Sequence, residues 1–296
     1  MSRIFEALQR ADLERKNSPG AENLEFTEPV IGAAIQDETP AKDDLFLEQI
    51  AEHPWNPSIE SFPTLEDRGA GVEQFRSLRS RIYQARFESP MKSILITSGM
   101  PSEGKSFVAA NLAMSLARNT IKNILLIDGD LRRPTLHNLL GAPNTPGLSE
   151  YLSSKAELRE ILQCDQRAKS GKKGGIESAS NLTFIPAGQC TDTSSELMTN
   201  HRLDDLMASL APHFDWIIID SPPVMVVTDA VDLARTSDAV LLVARGASTK
   251  FDVAQRTQAA FNNSRILGFV LNAVKDPPKA GSYSYSYYYG GPEIKN

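Results

Sequence analysis

Cysteine and histidine are scarce in this chain of 296 residues, and the few present are poorly placed for chemistry. The two cysteines, Cys164 and Cys190, show neither metal-ligand nor redox spacing, which suits a reducing cytoplasm. His53, His137, His201 and His213 are scattered and read as surface residues rather than a site. No apolar run is long enough to cross a bilayer, and the N-terminus lacks the basic-then-apolar pattern of a signal peptide. The chain is therefore expected neither to span a membrane nor to be exported. Hydrophobic residues at 41% against 23% charged allow a sizeable core and exclude wholesale disorder. A net charge of −6 argues against broad nucleic-acid binding.

Basic residues are almost missing from residues 17–70, where Lys42 and Arg68 face 12 acidic residues and six prolines. Without sustained apolar periodicity, and with prolines too frequent for a long helix, this stretch reads as an extended, mobile arm. Ahead of it, Ile4, Phe5, Leu8 and Ala11 fall at helical spacing with Ser2 as N-cap. Residues 1–16 thus form a short amphipathic helix that docks on its own domain or on a partner. From residue 71 to 275 the texture changes. Apolar runs at 93–98, 124–128, 182–186, 216–220, 239–245 and 266–273 alternate with helical patterns. Continuous apolar strands between helices predict an α/β fold, doubly wound, with a mainly parallel sheet covered on both faces. Residues 168–180 read as a mobile surface loop, and residues 276–296, rich in Pro, Gly, Ser and Tyr, as a flexible tail.

The strongest motif runs from Gly99 to Ser106 and fits G-x-x-x-x-G-K-[ST]. It follows the strand SILITS and opens the helix KSFVAANLAMSLARN, the context a phosphate-binding loop needs. Gly99, Pro101, Ser102, Glu103, Gly104, Lys105, Ser106 and Phe107 are the candidate nucleotide contacts. Backbone amides wrap the phosphates, and the helix N-terminus adds a favourable dipole. Lys105 would reach the β- and γ-phosphates of ATP and Ser106 would bind Mg2+. A glycine-rich turn without a ligand does not explain the adjacent Lys-Ser pair.

Two further apolar strands end in acids. In Ile124 to Arg133 the acids are Asp128 and Asp130, which share a face if the chain stays extended through Gly129. Two carboxylates there repel unless a cation lies near them, which implies magnesium. The alternative, that both cap the next helix, is weaker because Pro134 already serves as its start. The second strand ends at Asp220, which has the form of a Walker acid that holds the metal directly or through water.

This constellation resembles the bacterial tyrosine kinases that control capsule and exopolysaccharide assembly, a family derived from P-loop ATPases. The resemblance covers residues 71–273 and the tail. Its D-x-D-x-R element appears as Asp128, Asp130 and Arg132, its D-x-P-P element as Asp220 to Pro223, and its E-x-x-R-x-x-R element as Glu73, Arg76 and Arg79. The resemblance implies a P-loop NTPase-type fold, ATP and Mg2+ as cofactors, and Lys105, Asp128 and Asp130 as catalytic residues. Asp128 would orient or deprotonate the tyrosine hydroxyl. Ser106, Asp130 and Asp220 would hold the metal, and Asn272 is similar in position to a residue that contacts adenine. Many relatives have Gly where this chain has Ser102; the amide is retained. The family also implies a ring-like homo-oligomer, a transmembrane chain-length-determinant partner and a cognate tyrosine phosphatase. The location is then cytoplasmic, held at the inner membrane through that partner, and the opening SRIFEALQRA resembles stand-alone members.

On the residues alone, Glu73, Arg76 and Arg79 also read as a solvated salt-bridge row. Five of the seven tyrosines, Tyr283, Tyr285, Tyr287, Tyr288 and Tyr289, crowd the tail. That cluster is a sticky end, a segment docked on the protein itself or, beside an ATP site, an autophosphorylation target. The leading expectation is an ATP-dependent protein-tyrosine autokinase that phosphorylates these tyrosines in trans and regulates exopolysaccharide chain length and export. The competing one is a partition- or septum-positioning ATPase. Those proteins carry a second lysine after the first loop glycine, where this chain has Met100, and lack a tyrosine-rich tail.

Overall fold

A computed structural model of the chain describes residues 50–274 apart from 58–59, 66–68, 119–121, 167–180, 192 and 200. The expected N-terminal helix, most of the acidic arm, the 168–180 loop and the tyrosine tail lie outside the described residues.

Eight strands form one sheet among the described residues: β1 (Ala51–His53), β2 (Ser93–Ser98), β3 (Ile124–Asp128), β4 (Gln163–Asp165), β5 (Leu182–Ile185), β6 (Trp216–Asp220), β7 (Ala239–Arg245) and β8 (Ile266–Asn272). Their order is β1-β4-β5-β3-β6-β2-β7-β8. The six strands from β5 to β8 run parallel, and β4 pairs antiparallel with β5. The expected mainly parallel, doubly wound sheet is present. Period-two alternation sorts its side chains into two cores. Ile94, Ile96, Ile124, Leu126, Trp216, Ile218 and Leu241 face one layer, while Leu95, Leu125, Ile127, Ile217, Ile219 and Leu242 face the other. Each such fully buried aliphatic contributes roughly 1.5–3 kcal/mol relative to exposure.

Among the described residues the five longest helices are α1 (Ala70–Glu88), α2 (Lys105–Ala117), α3 (His201–Leu210), α4 (Asp229–Arg235) and α5 (Phe251–Ala259). α2 is buried along nearly its whole length, because its Ala and Ser residues let it lie close against the strands. α1 packs beside it through Phe75 and Ile82, and α3 and α4 cover the opposite face through Leu203, Leu206, Leu210, Ala230 and Leu233. Layers on both faces leave the ends of the strands as the open surface. In a sheet wound in both directions, ligands collect at the carboxyl ends.

The acidic arm gives way to the domain earlier than residue 70. β1 pairs with β4, and Trp55, Phe62 and Thr64 are buried. The Thr64 hydroxyl donates to Asn111 Oδ1 at 2.9 Å, and Asn111 Nδ2 donates to the Ser61 carbonyl at 2.9 Å. Two isolated aromatics and one Asn on α2 thus fix a stretch that has no periodicity of its own. Among the described residues, no helix is long and apolar enough to cross a membrane.

Candidate functional site

The phosphate-binding loop joins β2 to α2, and Gly104 is its tightest point. Gly104 has φ 95°, a left-handed conformation that a side chain disfavours, and an added Cβ would strike the Asn272 amide. Ser102 also takes a left-handed φ of 63°, which costs a non-glycine residue roughly 1–2 kcal/mol. Three side chains hold the loop in this shape, Glu103 from within it and Arg245 and Asn272 from outside. Glu103 accepts from the Met100 amide at 2.8 Å and from the Thr249 hydroxyl. Arg245 donates to the Ser102 carbonyl at 3.0 Å, and Asn272 Nδ2 donates to the Glu103 carbonyl at 2.9 Å. Glu103 and Asn272 therefore act as supports of the loop. Asn272, expected beside the base of the nucleotide, spends its amide on the loop backbone and does not line the main cavity.

That cavity, about 860 Å³, opens where the carboxyl ends of the strands meet the loop. Pro101, Ser102, Gly104, Lys105, Ser106 and Phe107 form one wall; Asp130, Arg132, Arg133, Thr135, Cys190 and Thr191 form another, and Pro222, Pro223, Val226 and Val227 complete it. Lys105 Nζ donates to Asp130 Oδ2 at 3.0 Å, lies 3.3 Å from Ser106 Oγ and 3.8 Å from Asp220 Oδ2. Burial alone would lower the pKa of this ammonium, but the carboxylates of Asp220, Asp130 and Asp128 outweigh it and the pKa lies above the ordinary lysine value. Lys105 thus places one positive charge among the crowded acids.

The two acids at the end of β3 differ in what they touch. β3 ends at Asp128, and the Gly129 amide continues the ladder to β6 by donating to the Asp220 carbonyl at 2.9 Å; the chain bends at 131–133. Asp128, fully buried, accepts from the amides of Asp130 at 3.2 Å, Thr135 at 3.2 Å and Leu136 at 3.1 Å. It caps the helix Leu136–Leu140, which begins two residues after Pro134 rather than at it; Asp130 takes no part in that cap. Asp130 closes the same turn through the Arg133 amide at 3.0 Å, while its other oxygen faces Lys105. Of the two, only Asp130 lines the cavity.

Asp220 sits beside Asp128 in register across β3 and β6, equally buried. Neither of its oxygens has a hydrogen bond of good geometry, although the Ser106 hydroxyl and the Ser221 amide lie close enough to favour its charged form. Burial raises its pKa to about 6, against the pull of Lys105. Asp128 is raised to about 8, first by burial and then by Asp220, against the Leu136 amide and Lys105. Two orphaned, buried carboxylate oxygens beside Ser106 fit a divalent cation that also takes phosphate oxygens and water. Among the described residues no cluster of three or more His, Cys, Asp or Glu forms a site made of protein alone.

The helix α1 row splits. Glu73 and Arg76 pair on the surface at 2.6 Å, whereas Arg79 turns inward and donates to the Ser115 carbonyl near the end of α2 at 2.5 Å. The sequence gives no local pattern for Asp229 and Ser195, which hold Arg132 from behind, or for Ser194, which donates to Asp229, because they lie far apart along the chain.

A phosphate-binding loop with Lys105 and Ser106 facing two strand-end acids defines a P-loop nucleotide-binding protein. The AAA domain family matches residues 91–251. The chain is 33% identical over 222 residues to the tyrosine-protein kinase YwqD of Bacillus subtilis, covering 74% of this chain and 88% of that protein. Over 222 residues it is 38% identical to the tyrosine-protein kinase Etk of Escherichia coli, but that match covers 74% of this chain and only 28% of Etk. The solved kinase domain of Etk superposes with a TM-score of 0.61 at 34% identity, covering 72% of this chain and 80% of that domain. A MinD septum-site protein from Pyrococcus horikoshii, complexed with Mg-ADP, shares the fold at 23% identity, a TM-score of 0.50, and 61% and 69% coverage. The chain belongs to the bacterial tyrosine-protein kinase family.

Proposed function

We propose that this chain is an ATP-dependent autokinase that phosphorylates Tyr283, Tyr285, Tyr287, Tyr288 and Tyr289 in a neighbouring subunit. Through those tyrosines it regulates the chain length and export of an exopolysaccharide. One observation carries the reading: Lys105 lies between Asp130 and Asp220 at the edge of a cavity large enough for a nucleotide's phosphates and an incoming side chain. ATP is the substrate. When it binds, Lys105 leaves the carboxylates for the phosphates, which frees Asp130 toward the cavity. The phenol oxygen bonds to the γ-phosphorus as the bond to the β–γ bridging oxygen breaks. That electron pair leaves on ADP, and the phenol proton passes to Asp130. Asp130, rather than the enclosed Asp128, is placed to orient the acceptor. Ser106 and Asp220 would hold Mg2+, which when bound neutralises phosphate charge.

The reading extends to assembly and partners. Glu73 and Arg76 remain exposed for contact between copies in a ring, whereas Arg79 is used within the chain. A transmembrane chain-length-determinant protein activates the kinase at the inner membrane, and a tyrosine phosphatase resets it. Each phosphate adds about −1.5 to −2 charges, so several on one tail loosen the ring. Purified protein incubated with ATP and Mg2+ and blotted for phosphotyrosine tests the activity. Mixing a Lys105→Met subunit with one whose five tail tyrosines are Phe tests transfer between subunits: the Lys105→Met tail should become phosphorylated. An unmodified tail in that mixture would refute transfer in trans.

A further inference from the structure

Arg132 enters the cavity wall from the turn after β3, and its guanidinium is gripped from behind. Nε donates to Asp229 Oδ2 at 3.2 Å, and Nη2 donates to Ser195 Oγ at 3.0 Å. Asp229, in the first turn of α4, has no exposed surface. It also accepts from Ser194 Oγ at 2.8 Å and Ser195 Oγ at 2.6 Å. Burial opposes its charge, but the bonds from Ser195, Ser194 and Arg132 hold its pKa below the ordinary aspartate value. Three segments distant in sequence, the 129–135 turn, the helix Ser194–Met198 and α4, converge on this one guanidinium.

A carboxylate–guanidinium pair of this kind adds little to stability, since desolvation offsets most of the attraction. It does fix a planar fork in one orientation. Two of the five N–H groups are occupied, and Nη1 has no partner among the described residues. Arg132 shares its cavity with Lys105, Ser106 and Asp130. A pre-aimed guanidinium there matches phosphoryl oxygens, whose charge is spread over the equatorial positions during transfer.

We propose that Arg132 contacts the phosphoryl group in transit and that Asp229 and Ser195 position it. This rests on the kinase reading above. A donor held in place before the reaction favours the transition state over bound ATP, so its loss should appear in kcat rather than in nucleotide affinity.

The test measures three quantities on Arg132→Ala, Arg132→Lys and Ser195→Ala in the full chain: kcat, affinity for Mg·ATP, and affinity for ADP–aluminium fluoride, which mimics the transferring group. Arg132→Ala should keep ATP affinity within about threefold while kcat and analogue affinity each fall roughly 10²- to 10³-fold. Arg132→Lys should not restore them, because an ammonium lacks the fork. Ser195→Ala, which leaves both charges in place, should lower kcat about tenfold at unchanged KM for ATP. Equal losses of ATP and analogue affinity in Arg132→Ala, or no loss of analogue affinity, would overturn the proposal. The analogue is read without turnover. Selective loss of its binding in a protein that shows no phosphotyrosine would refute the kinase reading and leave the role of Arg132 standing.

Discussion

Asp128 and Asp220 end neighbouring strands, pair in register and are equally buried, yet their surroundings differ completely. Asp128 accepts three backbone amides and organises the turn that carries Asp130 and Arg132. Asp220 has no hydrogen bond of good geometry and faces Lys105 at 3.8 Å. An acid whose acceptor sites are filled by its own chain serves the architecture. One left with empty lone pairs beside a lysine and a serine is kept for a ligand, at a cost in folding free energy.

The largest effect is expected at the residue between the two strand ends. Lys105→Met should reduce tail phosphorylation at least about 10³-fold, because no other group of the loop neutralises the transferred charge. Undiminished activity in that variant would break the site assignment. The comparison itself is tested next by paired amides. Asp220→Asn should lower activity roughly 10²-fold while the unliganded protein melts at a higher temperature, since a buried, unsatisfied charge is gone. Above about pH 8, where Asp128 is ionised, Asp128→Asn should do the opposite, destabilising the fold by about 1–3 kcal/mol as one amide donor confronts backbone donors. Melting shifts of the same sign in both variants would erase the distinction.

A smaller effect concerns pH. Both acids titrate higher in the folded protein, about 8 for Asp128 and about 6 for Asp220, than the ordinary 3.8. The folded state therefore binds more protons across that window, and the contribution of these groups to stability falls as pH rises from about 4 to 8. Asp229, and Asp238, which accepts from the Lys92 and Ser93 amides ahead of and at the start of β2, are held below the ordinary value, so their contribution is present above about pH 4 and lost only in stronger acid. Melting scans without nucleotide should show a flatter dependence between pH 5 and 8 in Asp128→Asn than in the parent; identical slopes would count against it. The smallest change belongs to Ser102→Gly. Relief of a φ of 63° should raise stability by at most about 1–2 kcal/mol and leave ATP affinity unaltered in a titration.

Much of this was legible in the chain. Six apolar runs became six strands: five are buried on both faces and need no alternation to be recognised, while β8, at the sheet edge, is only half-buried. β1 and β4 carry three residues each, AEH and QCD, too short and too polar to announce themselves. Lys105, Ser106, Asp130 and Asp220 come together as the motifs imply. The division of labour between Asp128 and Asp130 was not readable, since it depends on how the bend at 131–133 returns the Arg133, Thr135 and Leu136 amides to the two acids. The clamp on Arg132 was not readable either, because its members lie 34 to 97 residues apart.

The unequal accessibility of the two cysteines turns the molecule into its own sensor. Cys164 is buried, while Cys190 is exposed on the wall that bears Arg132 and Thr191. A thiol-reactive fluorophore should therefore attach at one position without any engineered mutation. Its emission would report filling of the cavity in real time, and would separate nucleotide arrival from phosphate transfer by stopped-flow.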